Sequence, residues 1–251
     1  MGTLVAQSIQ AAGDMLLAGG VDPMGAGREL VQYVPDAEPG LTVGGHLAGA
    51  LEDLAPDVMV DFTSPQVVMG NVETALKAGV ACVVGTTGFS DTDLQLVGKW
   101  CQSRSTPAII APNFSLGAVL MMRFAAQAAS LFEYAEIIEY HHEAKKDSPS
   151  GTAVKTAEMM AAARDEEFTD PGTELERVPG CRGGVGNGVH IHAVRMQGYV
   201  ANQDVLFGGP GETLRISHVT TSRESFVPGV LLAVRKVREQ DGLVYGLEHV
   251  L

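Results

Sequence analysis

The feature that most constrains this chain is an alternation, between residues 58 and 111, of short apolar runs with amphipathic stretches. Val58 to Phe62 (VMVDF) suits a buried strand. Pro65 opens a helical stretch in which Val68, Val72, Ala75 and Leu76 share one face, and Gly79 closes it. Val80 to Val84 reads as the next strand, GTTGF as a turn, Asp91 as an N-cap, Leu94 to Trp100 as a second helix and Pro107 to Ala111 as a third strand. Strands separated by helices run parallel under a helical cover. The rhythm therefore predicts a Rossmann-like α/β domain whose ligands lie beyond the carboxyl ends of its strands.

After residue 115 the pattern changes. A helix is predicted from Leu116 to Leu131, a strand from Glu136 to Tyr140 and, after a polar stretch containing Pro and Gly, a helix from Thr152 to Ala163. From Val189 onward, apolar and polar residues alternate between Gly and Pro turns, as in a mostly antiparallel sheet with an apolar face that seeks a partner. Pro228 to Arg238 (PGVLLAVRKVR) is an amphipathic helix expected to close back on the first domain.

Composition excludes several functions. A formal charge of -13, with no basic cluster beyond Lys145 and Lys146, repels a phosphate backbone, so nucleic acid is not expected as a partner. No apolar run approaches the roughly 18 to 20 residues of a membrane span, and the first residues lack the pattern of a signal peptide. The expectation is a soluble, cytoplasmic protein. Cys82, Cys101 and Cys181 show no CxxC spacing, which suggests neither disulfides nor zinc. His190 and His192 share a strand face without a Cys or carboxylate at metal-site spacing, so they read as sheet-surface residues and no metal is expected.

Chemistry concentrates in EYHHEAKKDSPSGTA, Glu139 to Ala153. Two histidines and two lysines follow a strand directly and precede a helix. Pro149, Ser150, Gly151 and Thr152 form a helix start whose N–H groups and positive dipole end suit an anion. Imidazole transfers a proton near neutral pH and ammonium holds an anion. By residue type alone, two readings stand: an anion site with a proton donor beside it, or a solvated loop with an ordinary cap. Gly85 to Phe89 (GTTGF) follows a strand and suits the approach of a nucleotide, but Gly and Thr also serve plain turns. Asp22, ending LLAGGVD, sits where a dinucleotide fold places the acid for the adenosine ribose; a surface aspartate is the other reading.

Taken in order, VDFTSP (60–65), VVGTTGF (83–89), APNFSLG (111–117), EYHHEAKKDSPSGTA (139–153) and FGGPGETLRISH (207–218) resemble the 4-hydroxy-tetrahydrodipicolinate reductase family over nearly the whole chain. The HHxxKxDxPSGTA string is specific to that family; GTTG alone is not. The resemblance implies a dinucleotide domain, residues 1–115 plus 225–251, and a substrate-binding and tetramerisation domain, residues 116–224. It implies an NADH- or NADPH-dependent reduction on the route to diaminopimelate and lysine. Position by position, His141 is the implied proton donor and Lys145 a second donor that steadies the substrate anion. His142, Gly151 and Thr152 are implied to bind the dicarboxylate. Gly85, Thr86 and Thr87, with Ala111, Pro112, Asn113 and Phe114, are implied to line the nicotinamide and its ribose. A homotetramer is implied as well.

Two departures from the family pattern bear on the cofactor. Family members open with a strand and a GxxGxxG-type turn; here Met1 and Gly2 match the last positions of that turn, and Thr3 to Leu17 reads as the helix that follows. The expectation is a misassigned start, since the downstream motifs are intact and an open gap in a sheet is unfavourable. The alternative is a catalytically silent assembly or substrate-binding homologue unable to hold the dinucleotide. The second departure is Pro23, which follows Asp22 where some members carry an arginine for the NADP 2′-phosphate. An aspartate favours a free ribose hydroxyl, so the expectation leans to NADH, with Arg28 as a route to NADPH. Ser148, where the family often has alanine, is a small change without expected consequence.

Overall fold

The computed structural model describes residues 1–251 and divides into two compact units, Met1–Phe114 with Phe226–Leu251, and Ser115–Ser225.

The first unit contains α1 (Gly2–Gln10), α2 (Leu47–Leu54), β1 (Val58–Asp61), α3 (Val68–Lys77), β2 (Ala81–Val84), α4 (Asp91–Arg104) and β3 (Ala108–Ile110), and takes back the chain as α7 (Val227–Lys236) and β9 (Leu243–Tyr245). Its sheet has the order β1-β2-β3-β9 with every pair parallel. Every residue of β2 and β3 is buried, so the alternation of a half-exposed strand is absent and the run is continuously apolar. α3 turns Val68, Val72, Ala75 and Leu76 inward against Cys82, Val84, Val97 and Ile110. β9 was not anticipated: LVY is three residues long, too short for a period to show.

Several helix starts and ends differ from the sequence reading, among them the end of α4, which runs on from Trp100 to Arg104. Ser90, not Asp91, caps α4: its hydroxyl receives the Asp93 N–H while the Asp93 carboxylate receives the Ser90 N–H, a capping box. Pro65 lies in a turn, and α3 starts at Val68. α1 stops at Gln10 instead of running to Leu17. Gly13 weakens the helix there, and Asp14 forms a two-pronged ion pair with Arg235 of α7, 2.7 and 3.0 Å. Residues 11–46 then run mostly irregularly around a small core of Leu30, Val34, Ala37 and Val43. β1 is the edge of the sheet, and a cleft of about 1000 Å³ lies beside it, bounded by Val5, Leu17, Leu51, Val60 and Val234 among others.

The second unit contains α5 (Leu116–Ala129), β4 (Tyr134–His141), α6 (Gly151–Ala162), β5 (Gly184–Gly186), β6 (Val189–Arg195), β7 (Ala201–Gly209) and β8 (Glu212–Thr220). The sheet order is β5-β6-β4-β7-β8. β4 is antiparallel to β7 but parallel to β6, because the connection through α6 returns the chain to the end where β4 began. Along β4, Ala135, Ile137 and Glu139 are buried, so one member of the apolar phase is a carboxylate. The alternate phase carries Ile138 and Tyr140, in register with Asp204 and Asn202 of β7. No helix is long and apolar enough to cross a membrane.

Candidate active site

In the first unit the carboxyl ends of β1, β2 and β3 carry the loops FTSP, GTTGF and APNF, respectively. Asp61, the last residue of β1 and only 3% exposed, ties the first two together. Its Oδ1 accepts from the Thr63 N–H, the Thr63 hydroxyl and the Thr86 hydroxyl at 3.0, 2.8 and 2.7 Å, and its Oδ2 accepts from Asn71 at 2.8 Å. Thr86 Oγ1 in turn accepts the Thr63 N–H at 2.8 Å. The Thr86 side chain is thus buried and engaged within the protein, whereas Thr87 is exposed. Gly85 has no room for a side chain: a Cβ there would meet the Phe62 ring at 2.1 Å. Gly88 has φ +98°, and its Cβ would press Pro65 at 3.1 Å. Two loops held this closely, with glycines where they touch, form a cradle at the strand ends, the position that suits a dinucleotide.

The third loop completes this edge. Ala111 and Phe114 are buried, Pro112 is exposed, and the Ala111 N–H donates to the Val84 carbonyl at 3.0 Å. The Phe114 ring packs 5.9 Å from that of Phe62. α7 seats the loop from below, since Gly229 lies directly against the Phe114 carbonyl. Asp22 is exposed on a loop and accepts the Met24 N–H through Oδ1 at 2.9 Å. Arg28 donates to the Tyr33 hydroxyl at 3.0 Å. Met1 is the N-cap of α1.

In the second unit the predicted chemistry gathers around Glu139. This carboxylate sits in the buried phase of β4, with none of its side chain exposed. Oε2 meets His141 Nδ1 at 2.6 Å and Arg195 Nη1 at 2.7 Å; Oε1 meets Arg195 Nη2 at 2.6 Å and the Ser150 N–H at 3.0 Å. Burial alone would raise the carboxyl, but the hydrogen bonds and charges of His141 and Arg195 more than reverse this and hold it at about 2. Glu139 is therefore ionised and accepts only, which puts the shared hydrogen of the His141 contact on Nδ1. Ser150 caps α6 by accepting the Ala153 N–H, so Gly151 and Thr152 form the first turn at the positive end of the helix.

Lys145 forms a bidentate contact with Asp147 at 2.7 and 2.8 Å, and Lys145 lowers the Asp147 carboxyl below its usual range. Arg195 also donates to the Asp147 carbonyl at 2.9 Å, which links the lysine turn to the Glu139 cluster. His142 falls just beyond β4 and is exposed. His190 and His192, read as sheet-surface residues, engage the Arg182 carbonyl at 2.7 Å and Glu136 at 2.8 Å.

Asp61, Glu139 and Arg195 were not singled out from the sequence. Asp61 and Glu139 did carry a signal, namely an acidic residue in the inward phase of an apolar strand, where an unpaired charge is prohibitive. Arg195 carried none, because only strand pairing brings it beside β4.

With this geometry in place, comparison with known proteins is decisive. Residues 1–114 match the family model described as dihydrodipicolinate reductase, N-terminus, and residues 117–251 match that described as dihydrodipicolinate reductase, C-terminus. The chain belongs to the dihydrodipicolinate reductase family. Among its relatives, a 4-hydroxy-tetrahydrodipicolinate reductase of Moorella thermoacetica is 45% identical over 251 residues, covering 100% of this chain and 94% of that protein. One of Mycobacterium marinum is 50% identical over 208 residues, covering 82% and 85%. The structure of dipicolinate-bound dihydrodipicolinate reductase from Paenisporosarcina sp. TG-14 superposes with a TM-score of 0.85 at 38% identity, covering 100% of this chain and 95% of that one. The Rossmann-like fold and family read from the motifs are those of the dihydrodipicolinate reductases.

Proposed function

We propose that this protein reduces 4-hydroxy-tetrahydrodipicolinate to tetrahydrodipicolinate with NAD(P)H, in the synthesis of diaminopimelate and lysine, and that the named side chains divide the work as follows. The first unit holds the cofactor. Gly85, Thr87 and the 111–114 backbone face the nicotinamide and its ribose, while Thr86 shapes the cradle through Asp61 rather than through its own hydroxyl. When bound, NAD(P)H supplies the hydride. Asp22, an exposed carboxylate followed by Pro23, favours a free ribose hydroxyl and hence NADH.

The second unit holds the dicarboxylate and moves the proton. Gly151 and Thr152 receive one carboxylate at the start of α6, and His142 and Lys145 attend the anion. His141 donates a proton from Nε2, and loss of water completes the net reduction. The observation that carries this reading is the orientation of His141: its Nδ1 is tied to a fully buried, ionised Glu139 at the end of a central strand.

The protein is further proposed to be a cytoplasmic homotetramer assembled through the sheet of the second unit. The phase of that sheet opposite the buried one mixes Ile138, Tyr140, Leu206 and Val219, the last 65% exposed, with the paired groups Glu136–His192 and Asp204–Arg215, and the apolar members are what support association through this face. The test is a steady-state assay following NADH and NADPH oxidation with the cyclic substrate. Substrate-dependent oxidation is expected, with NADH preferred and His141→Ala slower by about 10²-fold or more. Unchanged turnover of His141→Ala would remove the assigned proton donor.

A further inference from the structure

Glu139 is the one fully buried carboxylate that touches both halves of the proposed substrate machinery. It receives the ring N–H of the proton donor and the N–H of Ser150, the residue that caps the helix start. Arg195 closes a two-pronged pair on the same oxygens, so the charge of Glu139 is matched before any substrate enters. The other charged groups around it are Lys145 and Asp147 in the following turn, paired with each other. β6 supplies Arg195, whereas on the β7 side the residue in register with Glu139 is the uncharged Gln203, which donates to Thr156 of α6 at 2.8 Å.

Resting on the reading of His141 as proton donor, we propose that Glu139 is the positioning residue of this enzyme: it fixes His141 as the Nδ1–H tautomer, so that Nε2 alone exchanges the proton with substrate. A carboxylate accepts at both oxygens and leaves a neutral imidazole only one arrangement, with hydrogen on Nδ1 and a lone pair on Nε2. When the ring is an imidazolium, Nε2–H is the proton to be given, and Nδ1–H stays with Glu139 throughout. The same carboxylate holds the Ser150 N–H, so donor and anion seat share one rigid reference point.

Glu139→Gln separates these roles. With the amide oxygen in the Oε1 position, the Ser150 N–H and Arg195 Nη2 keep their acceptor, while Arg195 Nη1 loses the one it had in Oε2 and turns to its second acceptor, the Val194 carbonyl. The amide NH₂ then faces His141 Nδ1, which must accept, and the neutral ring is driven to the Nε2–H form. The expected result is a fall in kcat on the order of 10²-fold or more, as for a proton-transfer group in the wrong form, with KM changed less than about tenfold. The structural readout needs no turnover: ¹⁵N shifts of the neutral His141 ring report the Nδ1–H tautomer in the wild-type protein, and Glu139→Gln converts it to Nε2–H. A wild-type His141 protonated at Nε2, or a Glu139→Gln enzyme with unaltered kcat, overturns the proposal. His141→Ala distinguishes this failure from failure of the functional reading, since full activity of that variant removes the donor itself while the tautomer measurement stands.

Discussion

Replacing Gly229 by alanine puts one methyl group into the contact that seats the 111–114 loop. The new Cβ would lie 2.0 Å from the Phe114 carbonyl oxygen, 3.0 Å from its carbon and 2.9 Å from Leu247 Cδ2. The leucine tip swings aside cheaply, but the carbonyl is backbone, and reaching an ordinary separation of about 3.5 Å requires α7 and the loop to part by more than about 1 Å. Overpacking of this kind costs about 1–3 kcal/mol, and so short a contact argues for the upper end. The helix gains back only about 0.5–1 kcal/mol from exchanging Gly for Ala. The net effect is a loss of about 2 kcal/mol. Gly98, in the middle of α4, is the matched control: its added Cβ meets nothing within 4 Å, so Gly98→Ala keeps the propensity gain of about 0.5–1 kcal/mol alone. Both positions belong to the first unit, as does Trp100, the single tryptophan, which packs against that unit's core. Urea unfolding followed by its fluorescence therefore reads both changes, as shifts of the midpoint in opposite directions at constant slope. Gly229→Ala should also weaken NADH binding, because the Phe114 carbonyl moves, while Gly98→Ala should not. Equal stability of Gly229→Ala and wild type would refute the close approach of α7 to the loop.

Two further outcomes follow from the same structure. Glu139 has a folded value of about 2 against an ordinary 4.5, so its contribution is complete above about pH 4.5 and is lost as pH falls toward 2, an amount on the order of 3 kcal/mol; unfolding free energies measured across that window should show the loss in wild type and a flatter profile in Glu139→Gln. Burial pushes the Cys101 thiol up to about 11 and the Cys82 thiol higher still, whereas Cys181 is exposed; a thiol reagent at pH 8 should titrate one cysteine rapidly in the native protein and all three in denaturant, and fast reaction of a second native thiol would contradict the buried placement.

Much of this protein was legible in its residues. The apolar runs at 58–62, 80–84 and 107–111 and the one-faced helix between the first two define a parallel sheet because buried strands and amphipathic helices have different periods. The HHxxKxDxPSGTA string carried the family, and with it the candidate donor His141 and the helix start at Gly151. Local pattern placed most elements to within a few residues. It misplaced the cap of α4, where Ser90 and Asp93 engage each other across three residues, and the end of α1, where the ion pair of Asp14 with Arg235 competes with continued helix.

What the tertiary structure alone decided is which polar groups meet. β9 joins the first sheet beside β3, although its three residues carry no period of their own. Thr86 looks like a cofactor ligand in sequence, yet its hydroxyl is committed to Asp61 in a strand 25 residues earlier. Arg195 reaches Glu139 across 56 residues of chain because β6 pairs in parallel with β4. A period or a motif reports the environment of a residue along its own element, whereas the partner of a buried charge is set by strand order and register, which arise only when separate segments pack together.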